Sequence, residues 1–323
     1  MIKVETSTTT SNQNAYLAAT TYALIIGFSF LLIKVSLTVT NAIDILAYRF
    51  TVAFLFALCV NLYKKDRQKI TLKDVRKILP IAIFYPTCFF LFQVIGLIYI
   101  STSEAGILQA TIPIFTLILA TFIINEKSSL LGKISIFLSV AGVMYIFIMS
   151  GINVKSYNVT GIIFILLSTL SIAFYNVFAR SLTRKYPLFT LTYFMTCTGC
   201  IIFNTIAIGN HLINGSLSSF FLPLVSGKFI FSIIYLGILS SFLTSFLSNY
   251  ALNNMEASRM SVFNNIAILV TIIVGIIFLN ETIYYYHIIG AIVIIAGVFG
   301  TNYTRKPRPR PQHPNEKNTP SRI

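Results

Sequence analysis

Eight polar side chains stand inside otherwise apolar stretches of the chain: Gln93, Gln109, Tyr175, Asn176, Ser248, Asn249, Asn264 and Asn265. Amides donate and accept hydrogen bonds at once. A set of them facing one space suits a small neutral or zwitterionic solute. In hydrocarbon an unpaired amide costs on the order of several kcal/mol, so each must meet a partner. The bland alternative is glue between helices, at about 0.6–2 kcal/mol per contact. Pro113 follows Gln109 by four residues. Its ring removes the helix bond to the carbonyl near residue 109. A kink and a free acceptor are expected there, as a gating hinge or as a packed bend.

Catalytic constellations are missing from the sequence. His211, His287 and His313 are scattered, and no H-E-x-x-H, G-x-S-x-G or P-loop is present. Cys59, Cys88, Cys197 and Cys200 all lie in apolar runs. Cys197-Thr-Gly-Cys200 is formally CxxC but has no second ligand pair, so it reads as two small apolar thiols on one helix face. No enzyme activity, metal or cofactor is expected. Charges within apolar stretches are few. An Asp44–Arg49 or a Lys34–Asp44 pair near one rim is expected, and Glu104 is the best-placed carboxylate for carrying a proton.

The elements that must position these groups follow from composition. Of 323 residues, 56% are hydrophobic and 10% charged, against about 25% charged in soluble proteins. Lipid is therefore the expected solvent. A membrane helix needs about 20 mainly apolar residues. Ten stretches qualify: 17–38, 42–63, 76–97, 101–123, 129–149, 159–181, 187–208, 228–250, 258–279 and 283–303. The first is read as an uncleaved span, because no A-x-A-like exit follows it.

The net charge of +15 sits in the short segments between apolar runs and in the tail, which argues against nucleic acid. If both termini face the cytoplasm, 20 of the 24 Lys and Arg fall inside, with Lys155 and Lys228 outside and Lys34 and Arg49 within spans. That asymmetry orients the chain. The expected location is the inner (plasma) membrane, multi-pass. The polar N-terminus (1–16) and the basic, Pro-rich tail (304–323) are expected to be disordered, the tail lying near anionic lipid.

The chain also repeats itself. Asn125-Glu126 recurs as Asn280-Glu281, and Ala141-Gly142-Val143 as Ala296-Gly297-Val298, both at an offset of 155. The register pairs Gln109 with Asn264 and Gln93 with Ser248, so each pair should face the other at similar depth. Spans one and six are related at an offset near 145, which sets Tyr48 opposite Tyr193. Residues 17–150 thus form one five-helix unit and 151–303 a second. Five is odd, so the second unit enters the membrane inverted, an arrangement characteristic of secondary transporters. The repeated motifs themselves read as architecture: Asn as a cap, small residues for close helix approach.

Together these residues resemble the EamA family of the drug/metabolite transporter superfamily. The likeness rests on GFSFLLIK (27–34), AYRF (47–50), STSEAGILQATIPIFTLILATFIINE (101–126), EASRMSVFNNIAILVTIIVGIIFLNE (256–281) and both AGV endings. It spans residues 15 to 303. The chain departs from the pattern at Ile268, opposite Pro113, at Asn264-Asn265 and at Glu104. The resemblance implies an all-α membrane protein of ten transmembrane helices, two inverted five-helix repeats around a central cavity. It implies a lining from spans one, three, four, six, eight and nine, and export or exchange of amino acids, sugars or other small metabolites. The expected partners are that metabolite and the lipid bilayer, with the chain a monomer or a homodimer. A non-transporting scaffold or receptor is the competing expectation.

Overall fold

The computed structural model describes residues 3–63, 72–99, 105, 108–125, 129–149, 159–279 and 284–303. The backbone is helical because hydrocarbon offers no partner for N–H and C=O groups, which must then pair within the helix. The first helix, α1, runs over Lys3–Leu37, so the polar segment expected to be disordered is helical from Lys3. Helix α2 covers Ala42–Tyr63. Asn41 caps it: Asn41 Oδ1 accepts from the Asp44 amide at 3.0 Å, and Asn41 Nδ2 donates to Asp44 Oδ2 at 2.7 Å.

The third span is broken. Helix α3 (Leu72–Ala82) passes through a π-helical turn, Ile83–Cys88, into α4 (Phe89–Tyr99). Pro86 disfavours the helical region for the residue before it, and Tyr85 is extended at φ −140°, ψ 121°. Pro86 also has no N–H for the Ala82 carbonyl, which accepts from Thr87 Oγ1 at 3.2 Å instead. A second π-helical stretch interrupts the eighth span: α10 (Gly227–Ile234), Tyr235–Leu243, then α11 (Thr244–Asn254). The two breaks occupy equivalent places in the two halves. Such breaks are frequent at functional sites.

Pro113 does not kink a continuous helix. It stands in the first turn of α5 (Ile112–Ile123), after a turn in which Thr111 Oγ1 donates to the Leu108 carbonyl at 2.6 Å. Proline is tolerated there, because the first helical N–H groups lack partners anyway. Asn125 follows α5 with φ +50°, a left-handed residue closing the helix C-terminus. Ser129, not Asn125, caps α6 (Leu130–Met149), its Oγ accepting from the Gly132 amide at 3.0 Å. Glu104, Glu126, Asn280, Glu281 and the tail from residue 304 lie outside the described residues.

The second half comprises α7 (Val159–Leu182), α8 (Leu188–Ile213), the short α9 (Leu217–Phe221), then α10 and α11, α12 (Ala257–Leu279) and α13 (Tyr285–Tyr303). Among the described residues, six segments are long and apolar enough to cross a membrane, and three shorter apolar helices accompany them. Leu17, Phe122, Ile148 and Ile213 point outward, as expected where the surroundings are apolar.

Packing recurs between the halves. Helix α1 lies on α11 and α12, and its counterpart α7 lies on α4 and α5. Each of α2, α5 and α6 packs on its own counterpart, α8, α12 and α13 respectively. A close approach of backbone to backbone involves the repeated AGV motifs. A Cβ on Gly142 would come within 2.9 Å of the Gly290 carbonyl and the Ile294 amide. A Cβ on Gly297 would come within 2.6 Å of the Ser139 amide and 2.7 Å of the Ser135 carbonyl. Each contact is the other's image at the offset of 155.

Candidate functional site

Helices α1 and α7 both pack on α11 and α12, and polar side chains of these four helices meet there. Tyr175, buried on α7, has its hydroxyl 3.1 Å from Asn249 Oδ1 and 3.4 Å from Ser248 Oγ on α11. Asn249 Nδ2 donates to Thr192 Oγ1 on α8 at 3.2 Å. Tyr22 on α1 donates to Asn264 Oδ1 on α12 at 3.0 Å. Asn264 Nδ2 then donates to the Ser261 carbonyl at 2.9 Å. The Tyr85 and Tyr175 rings lie 4.6 Å apart, and Tyr22 lies close to both.

This brings Tyr175, Ser248, Asn249 and Asn264 into one neighbourhood. Asn265, one residue on from Asn264, faces another helix: its Nδ2 donates to Ser139 Oγ on α6 at 2.8 Å, and its Oδ1 has no partner among the described residues. Consecutive helical residues point about 100° apart, so adjacent amides serve different neighbours. Gln93 is buried on α4. Gln109 and Asn176 are buried too, and Gln109 Nε2 and Asn176 Nδ2 lack hydrogen-bond partners among the described residues. No hydrogen bond joins Gln109 to Asn264 among the described residues.

Sequence reading missed Tyr22 and Tyr85. The available signals were weak: phenols inside apolar runs, and a proline directly after Tyr85.

The charged groups differ from expectation. Asp44 pairs with neither Arg49 nor Lys34. Its carboxylate meets His211 Nε2 at 3.1 Å and accepts from Thr40 Oγ1 at 3.1 Å. Both Asp44 and His211 are buried, and Phe220 packs edge-on against the imidazole. Lys34 is exposed. The physical reason is helix geometry. Residues five apart point about 140° away from each other, so Asp44 and Arg49 leave α2 on different faces.

Arg49 is 1% exposed and enters the interior between the halves. Its Nε donates to Ser241 Oγ at 2.6 Å, and its Nη2 to the Ser240 carbonyl and Oγ at 3.0 Å each. All three acceptors belong to the π-helical stretch of span eight. The guanidinium carbon lies 4.0 Å from the centre of the Phe90 ring, a cation–π contact. Among the described residues, no group of three His, Cys, Asp or Glu could hold a metal ion.

The comparisons with known proteins agree with one another. The model of the EamA-like transporter family matches residues 13–148 and again 159–303. The uncharacterized transporter YcxC of Bacillus subtilis (strain 168) is 46% identical over 304 residues, covering 94% of this chain and 97% of its own. An uncharacterized transporter of Archaeoglobus fulgidus is 30% identical over 282 residues, covering 84% of this chain and 93% of its own. A solved crystal structure shares the fold, with a TM-score of 0.70 at 15% identity over 90% of this chain and 97% of that one. On these matches, which take in both halves of the sequence, the chain belongs to the EamA-like transporter family.

Proposed function

We propose that the chain is a secondary transporter that moves small neutral or zwitterionic metabolites, amino acids or similar compounds, outward across the plasma membrane by alternating access. The observation that carries this is the tyrosine–amide network at the meeting of the halves. Tyr22 with Asn264, and Tyr175 with Ser248 and Asn249, contribute hydroxyls and amides from both halves to one buried neighbourhood. Such groups can exchange partners with a polar solute at little net cost, because hydrogen bonds are traded rather than lost.

In this reading ten spans form two inverted five-helix halves, with both termini cytoplasmic. The reciprocal packing of Gly142 and Gly297 and the recurring helix pairs support it. Two similar packings in opposite orientation give two states of similar energy, open to opposite sides. The π-helical breaks are where spans three and eight can bend.

The test is flux of a labelled metabolite panel into liposomes holding purified protein. Uptake of at least one neutral or zwitterionic compound is expected, with Tyr175→Phe and Asn249→Ala each slowing it several-fold. No flux of any compound would favour a scaffold or receptor. Flux untouched by both substitutions would move the solute site elsewhere.

A further inference from the structure

A buried guanidinium in a membrane protein needs a counter-charge or a full set of acceptors. Arg49 has neither. Three of its contacts go to Ser240 and Ser241, and none goes to a carboxylate among the described residues. The nearest acidic residue on its own helix, Asp44, is committed to His211. Nη1 has no hydrogen-bond partner among the described residues. The Tyr85 hydroxyl, also in the interior, meets no partner at full hydrogen-bond geometry among the described residues, although the Ser245 and Thr244 hydroxyls lie beside it. The two groups adjoin. Both lie against the Phe90 ring, the guanidinium carbon at 4.0 Å and the Tyr85 ring at 5.4 Å from its centre. The polar neighbours of Tyr85 are Arg49, Thr244 and Ser245.

We propose that Arg49 and Tyr85 form the subsite for a carboxylate on the transported solute. The proposal rests on the transport reading and names the anionic group of its substrate. A carboxylate accepts from two donors side by side, and Arg49 Nη1 and Tyr85 Oη supply one each. Its negative charge also neutralises the cation, which serines cannot do. The rest of a zwitterion then extends towards Tyr175, whose ring lies 4.6 Å from that of Tyr85, and towards Asn249, which Tyr175 meets.

The subsite joins the two halves. Arg49, Tyr85 and Phe90 come from the first, Ser240, Ser241 and Ser245 from the second. Here Arg49 is sealed by Ser240 and Ser241, both in the irregular stretch of span eight. A solute reaches Nη1 when the halves separate there, and its carboxylate replaces bonds that the serines release. The site is thus loaded in an open state and closed over in the state described.

The test uses purified full-length protein and the twenty common amino acids, each beside its amide and its decarboxylated amine. Two readouts are taken: counterflow in liposomes, and thermal unfolding in detergent with each compound. For any acid that is carried, its amide and amine should compete at least about tenfold more weakly, the scale of one charge-assisted hydrogen bond. That acid should raise the unfolding temperature while its amide does not. Tyr85→Phe, which removes one hydroxyl, should raise the half-saturation concentration several-fold. Arg49→Gln should erase the preference for acid over amide, and Arg49→Lys should keep part of it.

Equal competition by acid and amide in the wild type overturns the subsite, as does unchanged half-saturation in Arg49→Gln. Thermal protection by acids without flux retains the subsite and removes the transport reading. Neither flux nor protection by any of the twenty acids overturns both.

Discussion

Asp44 and His211, 167 residues apart in sequence, meet at 3.1 Å in the interior, where α2 begins and α8 ends. The imidazole also has Nδ1 2.9 Å from Ser216 Oγ and 3.0 Å from the Ser216 carbonyl. Tyr48 stacks on Phe220 at 4.7 Å, and Phe220 packs against the imidazole. One pair therefore ties the halves together at one end of the bundle. His211→Ala should destabilise the protein by about 3 kcal/mol, because it leaves a buried carboxylate without its partner. Thermal unfolding in detergent reads this, and His211→Gln should recover part of the loss.

Gly142→Ala and Gly297→Ala should each cost about 1–3 kcal/mol, by overpacking against backbone that has no side chain to move aside. Their effects should be similar in size, because the two contacts are images of each other. Gly209, on α8 with nothing within 4 Å of a Cβ, is the control. There Ala should be neutral or stabilise by up to about 1 kcal/mol. Unequal costs at Gly142 and Gly297 would break the two-fold reading.

Asn264 and Asn265 should separate function from stability. Asn264→Ala removes the acceptor of the Tyr22 hydroxyl and should slow flux several-fold. Asn265→Ala removes a contact to Ser139 and should lower stability by about 1 kcal/mol with flux retained. Flux measurements and unfolding curves on the two variants check this. The reverse pattern would place the solute against α6.

Tyr186 lies between α7 and α8, and its hydroxyl donates to Asp74 Oδ1 at 2.8 Å. That bond, helped by partial desolvation and the nearby negative charge, holds its pKa above the ordinary phenol value of 10.0. A raised folded-state pKa favours the protonated form. The contribution is present at every pH below that of the unfolded phenol and is lost as pH rises through the folded value. Stability should carry the Tyr186 contribution unchanged through neutral pH and lose it at alkaline pH, and Tyr186→Phe should remove that alkaline loss. Ultraviolet difference titration of both proteins reads it.

Reporters fused to each terminus and inserted within 64–77 should all face the cytoplasm. Protease protection in intact cells decides it, and any one reporter on the far side would undo the two five-helix halves.

Some span boundaries were legible along the chain, while others moved: α1 begins at Lys3 rather than 17, and α8 runs to Ile213 rather than 208. Helix α2 occupies the residues expected of it, 42–63, and α7 and α12 differ from expectation by a residue at one end. Hydropathy and the backbone's need to pair in hydrocarbon act locally, so neighbouring residues carry the signal. The same holds for the internal repeat, read from Asn-Glu and Ala-Gly-Val alone, and for the buried amides, which the apolar surroundings expose. The partners of Arg49, the bond between Asp44 and His211, and the approach of Tyr22 to Asn264 were legible nowhere in the sequence. Each depends on how far a helix is rotated about its axis and which helix stands opposite. A turn of about 100° moves a side chain from one neighbour to the next. The packing of α1, α2, α8 and α12 fixes those rotations, so only the tertiary structure could decide that Arg49 faces two serines while Asp44 faces a histidine.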